Sequence, residues 1–340
     1  SLLKNNMHYH GMTKKIVERP LLGKSAGLTE VNAILKRIYL ARGIKSDAQL
    51  QRHLVELPSP WLLTGMEVMV TYLIAAIEQQ KKIVIVADFD ADGATSCTVA
   101  MLGLQLLGAS DVDFIVPNRF EYGYGLTPEI VKLVVEKQAD VLMTVDNGIS
   151  SLAGVAAAKQ AGMQVLVTDH HLPGDQLPDA DAIVNPNLPD DEFPSRALAG
   201  VGVMFYVLLA LRSRLREQGW FVRHNLIEPN LGQLLDLVAL GTVADVVALD
   251  QVNRILVHQG LLRMRSGKGH VGIKALVEVS GRNLHSLGAS DLGFAIGPRL
   301  NAAGRMDDMS VGIQCLLSDD VALAKTLAMQ MDELNSDRRE

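Results

Sequence analysis

Apolar residues recur along this chain in two rhythms, and the change of rhythm divides it. Between residues 24 and 80, LTEVNAILKRIYLARG, SDAQLQRHLVEL and MEVMVTYLIAAIEQQ set apolar residues at helical spacing between breakers, which predicts a helical lead-in. Ser46 and Asp47 ahead of Ala48 make a helix start. From residue 82 the period shortens: KIVIVADFD, VDFIVPN, DVLMTVDNG, MQVLVTDHH and DAIVNPN read as strands. Between them GATSCTVAMLGLQLLG, TPEIVKLVVEKQ and SSLAGVAAAKQAG read as helices, the second with Thr127 as cap and Pro128 at its first position. After about residue 198 the strands cease. VGVMFYVLLALRSRLREQG, NLGQLLDLVALGTVADV, NRILVHQGLLRMRSG and VGIKALVEVSG are helical patterns, and a last polar helix starts near 318 without a stop signal.

Strands alternating with helices predict an α/β fold: an open, mainly parallel sheet with helices on both faces, flanked by N-terminal helices and followed by a helical segment. The expected divisions are a poorly ordered tail over 1–23, the lead-in over 24–80, the α/β domain over 81–250, and a helical segment over 251–340 serving as connector to further domains. Met12 is the expected natural start, since the chain opens on Ser1. No solenoid repeat, low-complexity tract or heptad run interrupts this order.

Composition narrows the setting. No apolar run approaches the roughly 18 residues of a membrane helix, and the first twenty residues carry no apolar signal core. Only Cys97 and Cys315 are present, too few for a disulfide framework, so a cytoplasmic protein with no membrane contact is expected. A net charge of −6 argues against non-specific coating of nucleic acid and leaves room for a local basic groove.

The chemistry lies at the strand ends, where open parallel sheets bind their ligands. The first strand ends in Asp88, Asp90 and Asp92, the second in Asn118 and Arg119, the third in Asp146 and Asn147. The fourth supplies Asp169, His170 and His171, the fifth Asn185 and Asn187. Each alone has a plain reading: DFDADG as an acidic helix cap, VDNG as a turn, adjacent histidines as surface residues. Together they gather acids that would raise one another's pKa unless a cation sat among them. Carboxylate oxygen with imidazole suits Mn²⁺, Mg²⁺, Zn²⁺ or Fe²⁺, and the lack of cysteine at the rim disfavours a structural zinc site. With this many ligands, two ions about 3.5–4 Å apart sharing one carboxylate are expected.

DFDADG (88–93), VDNG (145–148), TDHH (168–171) and GTVADVV (241–247) resemble the four motifs of the DHH phosphoesterase superfamily. VPNRFEYGYGL, LAGVGVMFY, LLDLVALGTVADVV and GFAIGPRLNAAGR are similar to stretches of its RecJ family, the bacterial single-strand-specific 5′→3′ exodeoxyribonucleases, and the resemblance covers about 25–340. It implies that Asp90, Asp92, Asp146, His170 and Asp245 hold two divalent cations, Mn²⁺ or Mg²⁺, with Asp146 bridging and Asp88 either ligand or supporting partner. It implies that His171 faces the scissile phosphate, making His171, Asp146 and His170 the catalytic set. Asp245 enters on the resemblance alone, because a lone acid in a helical region is ordinarily a cap or a solvated residue.

Single-stranded DNA is the implied partner, and hydrolysis to 5′-mononucleotides in recombination and repair the implied reaction. Single-strand-binding protein and a RecQ-type helicase are partners by family resemblance. Arg119 is the candidate phosphate grip, weighed against an ion pair with Glu121. Tyr124, between Gly123 and Gly125, is a candidate base platform, weighed against loop packing. Arg299, Asn301 and Arg305 form an expected basic loop ahead of a helix, read as strand contacts and weighed against structural ion pairs.

The family's second lobe carries a Gly-Gly-His motif that these residues lack, so only half the cleft is expected here. An alternative is a DHH phosphodiesterase of short oligoribonucleotides, cyclic dinucleotides or pyrophosphate. Its first motif has the form His-x-x-x-Asp-x-Asp, where this chain has Val86. A second alternative is a non-catalytic DHH scaffold for DNA or replication proteins, which the complete ligand set disfavours. A dinucleotide-binding dehydrogenase is the weakest alternative, because no G-x-G-x-x-G follows the first strand.

Overall fold

The computed structural model describes residues 8–9, 12–13, 15, 17–22 and 27–337, in two compact units, residues 1–51 and 52–340. In the first unit, strands β1 (His8–Tyr9) and β2 (Met12–Thr13) pair antiparallel. Most of the tail expected over 1–23 lies outside the described residues. Helix α1 (Ala33–Ala41) is capped by the Asn32 side chain, which accepts from the Leu35 N–H. Its Leu40 joins Leu28 and Ile44 in a small core. The start expected at Ser46 gives only a 3-10 turn, Asp47–Leu50, whose Asp47 carboxylate accepts from the Thr29 amide and hydroxyl instead.

The second unit begins short of the boundary expected at 80. Helix α2 (Met66–Glu78) is no lead-in: Met69, Val70 and Leu73 are fully buried against strand β7 (Ala182–Val184) and helix α7 (Gly200–Glu217). The sheet comprises β3 (Ile83–Ala87), β4 (Val112–Ile115), β5 (Val141–Val145), β6 (Gln164–Thr168) and β7, all parallel, in the order β4-β3-β5-β6-β7. Its two faces are read directly from alternation along β3. Ile83, Ile85 and Ala87 join the large core with α2, α3 (Ala91–Leu106) and α7. Val84 and Val86 join the smaller one with α5 (Pro128–Glu136) and α6 (Leu152–Gln160). The one-turn helix α4 (Arg119–Tyr122) lies between β4 and α5. Thr127 caps α5 with Pro128 in its first turn, as its sequence predicts.

Behind α3 and α7 a further helical layer shares the large core: α8 (Trp220–Arg223), α9 (Leu235–Ala244), α10 (Gln251–Arg265), α11 (Val271–Val279), α12 (Ala289–Asp291), α13 (Gly297–Ala303), α14 (Val311–Leu317) and α15 (Val321–Ser336). Residues 251–337 are therefore continuous with the α/β core. The basic loop expected at 297–305 is largely α13, entered through a π-turn at Leu292–Ile296. Pro298 does not break it, because the first turn of a helix needs no donor there. Among the described residues no single helix is long and apolar enough to cross a membrane.

The crossovers fix where a ligand can sit. From β3 the chain crosses to β4 on one side and then returns past β3 to β5 on the other. That reversal opens a crevice at the carboxyl ends of β3 and β5. DFDADG and VDNG are the segments that leave those two strands.

Candidate metal centre and substrate cleft

Asp90 caps α3, its Oδ1 accepting from the Gly93 N–H at 2.8 Å. Asp92, in the first turn of α3, is 1% exposed and accepts from the Gly200 N–H (2.7 Å) and Val201 N–H (2.8 Å), the first two residues of α7. Two helix N-termini thus point their positive ends at the acids. Asp146 leaves β5 with φ of +60°, a left-handed conformation unusual for a non-glycine residue. Gly200 makes room for it: a Cβ there would lie 2.6 Å from the Asp146 Cβ and Oδ1.

Asp245 arrives from farther off, at the C-terminal end of α9. Gly241 lets α9 approach α3 and α7, since a Cβ would meet Thr95 Oγ1 at 2.1 Å and Val201 Cγ1 at 2.8 Å. His170 follows β6. Its Nε2 lies 3.0 Å from Asp146 Oδ1, 3.6 Å from Asp245 Oδ2 and 3.7 Å from Asp92 Oδ2.

Neither His170 Nε2 nor Asp146 Oδ1 makes a hydrogen bond, although both atoms are buried. Hard oxygens of Asp92, Asp146 and Asp245 around one unbonded imidazole nitrogen fit a divalent cation. Ligand atoms of Asp92, His170 and Asp245 lie within 4.8 Å of one another, as do those of Asp88, Asp90 and Asp146 and those of Asp146, His170 and His171. Asp146 and His170, joined at 3.0 Å, connect the first two groups. The donors thus suit a pair of ions meeting at Asp146.

The electrostatics of the bare site agree. Burial, then the charge of Asp90, pushes Asp88 up to about 7. Burial and neighbouring carboxylates hold Asp92 and Asp146 well above the ordinary range. Asp245 is raised to about 6 by burial and Asp90. Burial lowers His170 to about 4, leaving it neutral and able to bind a cation.

Beside the cluster a cleft of about 390 Å³ is lined by Phe89, Asp90, Asp92, Arg119, Asp245, Asn301 and Arg305. Arg119 stacks over the rings of Phe89 (5.2 Å) and Phe120 (4.8 Å) and makes no ion pair with Glu121 or any other acid among the described residues. Tyr124 is half exposed, its hydroxyl 3.3 Å from His171 Nε2. Asn301 accepts from the Ala91 N–H at 2.8 Å and so positions the start of α3 as well as lining the cleft. Arg299 is committed elsewhere. Its guanidinium binds Asp332 on α15 (2.7 and 2.8 Å) and the Ala295 carbonyl (2.6 Å), and only 11% of the side chain is exposed. The competing ion-pair reading of Arg299 is the one the geometry takes.

Asn185 and Asn187 reach the rim but bind backbone: their Nδ2 groups donate to the carbonyls of His171 (2.9 Å) and His170 (2.6 Å). Sequence reasoning passed over Gly200, whose requirement appears only when α7 meets Asp146. It also passed over Phe89 as a platform for Arg119, although both flank strand ends.

Three comparisons with known proteins bear on this geometry. Residues 82–242 match the family described as "DHH family, N-terminal domain". The chain is 57% identical over 308 residues to the single-stranded-DNA-specific exonuclease RecJ of Salmonella typhimurium, covering 90% of this chain and 53% of that protein. It is 56% identical over 312 residues to the RecJ of Escherichia coli, with coverage of 92% and 54%. The chain thus spans about half the length of these curated relatives. A crystal structure of exonuclease RecJ bound to manganese superposes with a TM-score of 0.70 at 37% identity, covering 82% of this chain and 67% of that one. The Mn²⁺ complex of RecJ from Thermus thermophilus gives 0.72 at 34% identity, with coverage of 88% and 41%. Motifs, sheet order and comparisons agree: this chain belongs to the RecJ branch of the DHH family.

Proposed function

We propose that this chain carries the hydrolytic site of a 5′→3′ exonuclease that acts on single-stranded DNA and releases 5′-mononucleotides in recombination and repair. The observation that supports it most is the convergence of Asp92, Asp146 and Asp245 within 3.7 Å of the unbonded His170 Nε2. With Asp90, these residues would hold two divalent cations, Mn²⁺ or Mg²⁺, sharing Asp146, while Asp88 stands beside the second position. Bound there, the cations supply charge to polarise the phosphoryl oxygens and lower the pKa of a nearby water.

The protein's own side chains do the remainder. Arg119, held flat by two phenyl rings, presents a pre-oriented fork to a phosphate. Arg305, which also lines the cleft, contacts the strand, and Asn301 keeps the first turn of α3 in place. Tyr124 borders His171, which faces the departing oxygen. Arg299 serves this surface indirectly, by tying α13 to α15. The reading places the protein in the cytoplasm, consistent with two buried free cysteines. It takes single-strand-binding protein and a RecQ-type helicase as partners of the whole enzyme.

The test is release of label from single strands carrying a 5′ or a 3′ label. Mn²⁺-dependent 5′-mononucleotides from the 5′ end, absent with chelator and in Asp146→Ala, are expected. Release from the 3′ end, or equal digestion of duplex, would overturn the proposal.

A further inference from the structure

Asp169 belongs to none of the ligand groups above, yet it is 1% exposed beside the most polar part of the molecule. Its Oδ2 accepts from the Ile149 N–H at 2.9 Å. Its Oδ1 accepts from the N–H groups of His170 (2.8 Å) and His171 (3.3 Å) and faces His171 Nδ1 at 2.6 Å. The three backbone groups can only donate, so the carboxylate is an acceptor on every side and the proton of the shortest contact sits on Nδ1. The same ring is 45% exposed and the Tyr124 hydroxyl lies against it, 3.4 Å from Nδ1 and 3.3 Å from Nε2, so with Nδ1 engaged by Asp169 the nitrogen left uncommitted to a carboxylate is Nε2. Asn185 fixes the other handle, donating to the His171 carbonyl at 2.9 Å. Ring and backbone of His171 are therefore both held, and Nε2 is turned away from Asp169.

We propose that Asp169 is the positioning residue for His171: it fixes the Nδ1–H tautomer and so presents Nε2 to the oxygen that leaves phosphorus. The inference rests on the hydrolytic reading above. In the step it serves, a bond forms between water oxygen and phosphorus and the bond from phosphorus to the 3′ oxygen breaks. The proton carried on Nε2 passes to that oxygen, and the proton shed by water goes to solvent. His171 is left as the Nδ1–H tautomer and regains a proton from solvent. Asp169 touches no reacting atom. An asparagine in the corresponding role beside a catalytic histidine gives the wrong tautomer and a large loss of turnover.

The experiment compares the whole chain with its Asp169→Asn form on two diesters: a thymidine dinucleotide, and thymidine 5′-(p-nitrophenyl) phosphate, whose leaving group needs no proton. A loss of about 100-fold in kcat on the dinucleotide, with little loss on the nitrophenyl ester and Mn²⁺ affinity kept, is the expected result. Equal losses on both, or loss of Mn²⁺ binding, would make Asp169 a structural tie between the two turns and overturn the proposal. In a His171→Ala background the asparagine should add no further loss, and an undiminished extra loss would equally sink it. A third measurement needs no variant. Imidazole ¹⁵N spectra of the unsubstituted protein with Mg²⁺ should show His171 protonated at Nδ1 when neutral, and an Nε2–H tautomer would refute the idea. If the unsubstituted chain cleaves neither diester, the hydrolytic reading fails, while the tautomer measurement still decides the placement of His171.

Discussion

Gly200→Ala is the substitution that most directly tests the geometry of the metal centre. The added Cβ would lie 2.6 Å from both Cβ and Oδ1 of Asp146 and 2.8 Å from its Cγ. Carbon atoms in contact sit about 3.5–4.0 Å apart, so Asp146 or the start of α7 must yield by about 1 Å. Metal sites tolerate only about 0.2 Å in ligand distances, and Asp146 is the carboxylate proposed to serve both ion positions. The helix cannot easily retreat, because its first two N–H groups are hydrogen-bonded to Asp92. The displacement therefore falls on the ligands, and Mn²⁺ affinity should drop by about 10- to 100-fold, or about 1.4–2.8 kcal/mol. Calorimetric titration with Mn²⁺ measures this. Gly103→Ala is the control, for its Cβ would strike Leu208 at 2.2 Å in the helix crossing and should lower Tm without touching affinity. Unchanged Mn²⁺ binding by Gly200→Ala would refute the placement of Asp146.

Other consequences can be measured on the same protein. Asp88 and Asp245 have folded pKa values near 7 and 6, above the ordinary 3.8, so each stabilises the metal-free fold while it keeps its proton. That contribution is complete below about pH 4 and is lost as pH rises through 6 to 7. Metal-free protein should therefore lose Tm over that window, with Mn²⁺ restoring more at pH 8 than at pH 5; a flat profile contradicts it. Arg119→Ala should weaken binding of 5′-phosphorylated single strands and leave Mn²⁺ affinity unchanged, whereas equal binding at limiting DNA counts against the phosphate grip. Arg299→Ala should cost about 3 kcal/mol by stranding part-buried Asp332, visible in urea unfolding. An effect on strand binding without loss of stability would reverse that assignment.

The strand-end acids were legible because a parallel sheet exports its polar residues to one rim, and the period-2 and 3.6 patterns locate each strand end. Asp90, Asp146 and His170 needed no more than that. Asp245 did not follow, since the close approach of α9 depends on Gly241 facing Thr95 and Val201, contacts between segments far apart in sequence. Arg299 misled for a related reason. GPRLNAAGR has the composition of a loop, but a proline in a first turn and a π-turn before it let the segment be helical and bring Arg299 to Asp332. Local chemistry was readable; partners across the core were not.

The same facts explain how such a site can exist before a cation arrives. Carboxylates crowded out of water resist ionising together, and the raised pKa values of Asp88, Asp92, Asp146 and Asp245 show the fold resisting that charge. What moderates the resistance is backbone: the N-termini of α3 and α7 aim their N–H groups at Asp90 and Asp92, and those bonds fix the carboxylates in place. A cation then removes protons rather than rearranging ligands, so binding should release protons and become tighter with pH. The glycines at 200 and 241 belong to the same argument, the first because its N–H reaches Asp92 and the second because it lets α9 bring Asp245 alongside. A larger residue at either position would leave the acids present in the sequence and absent from the site.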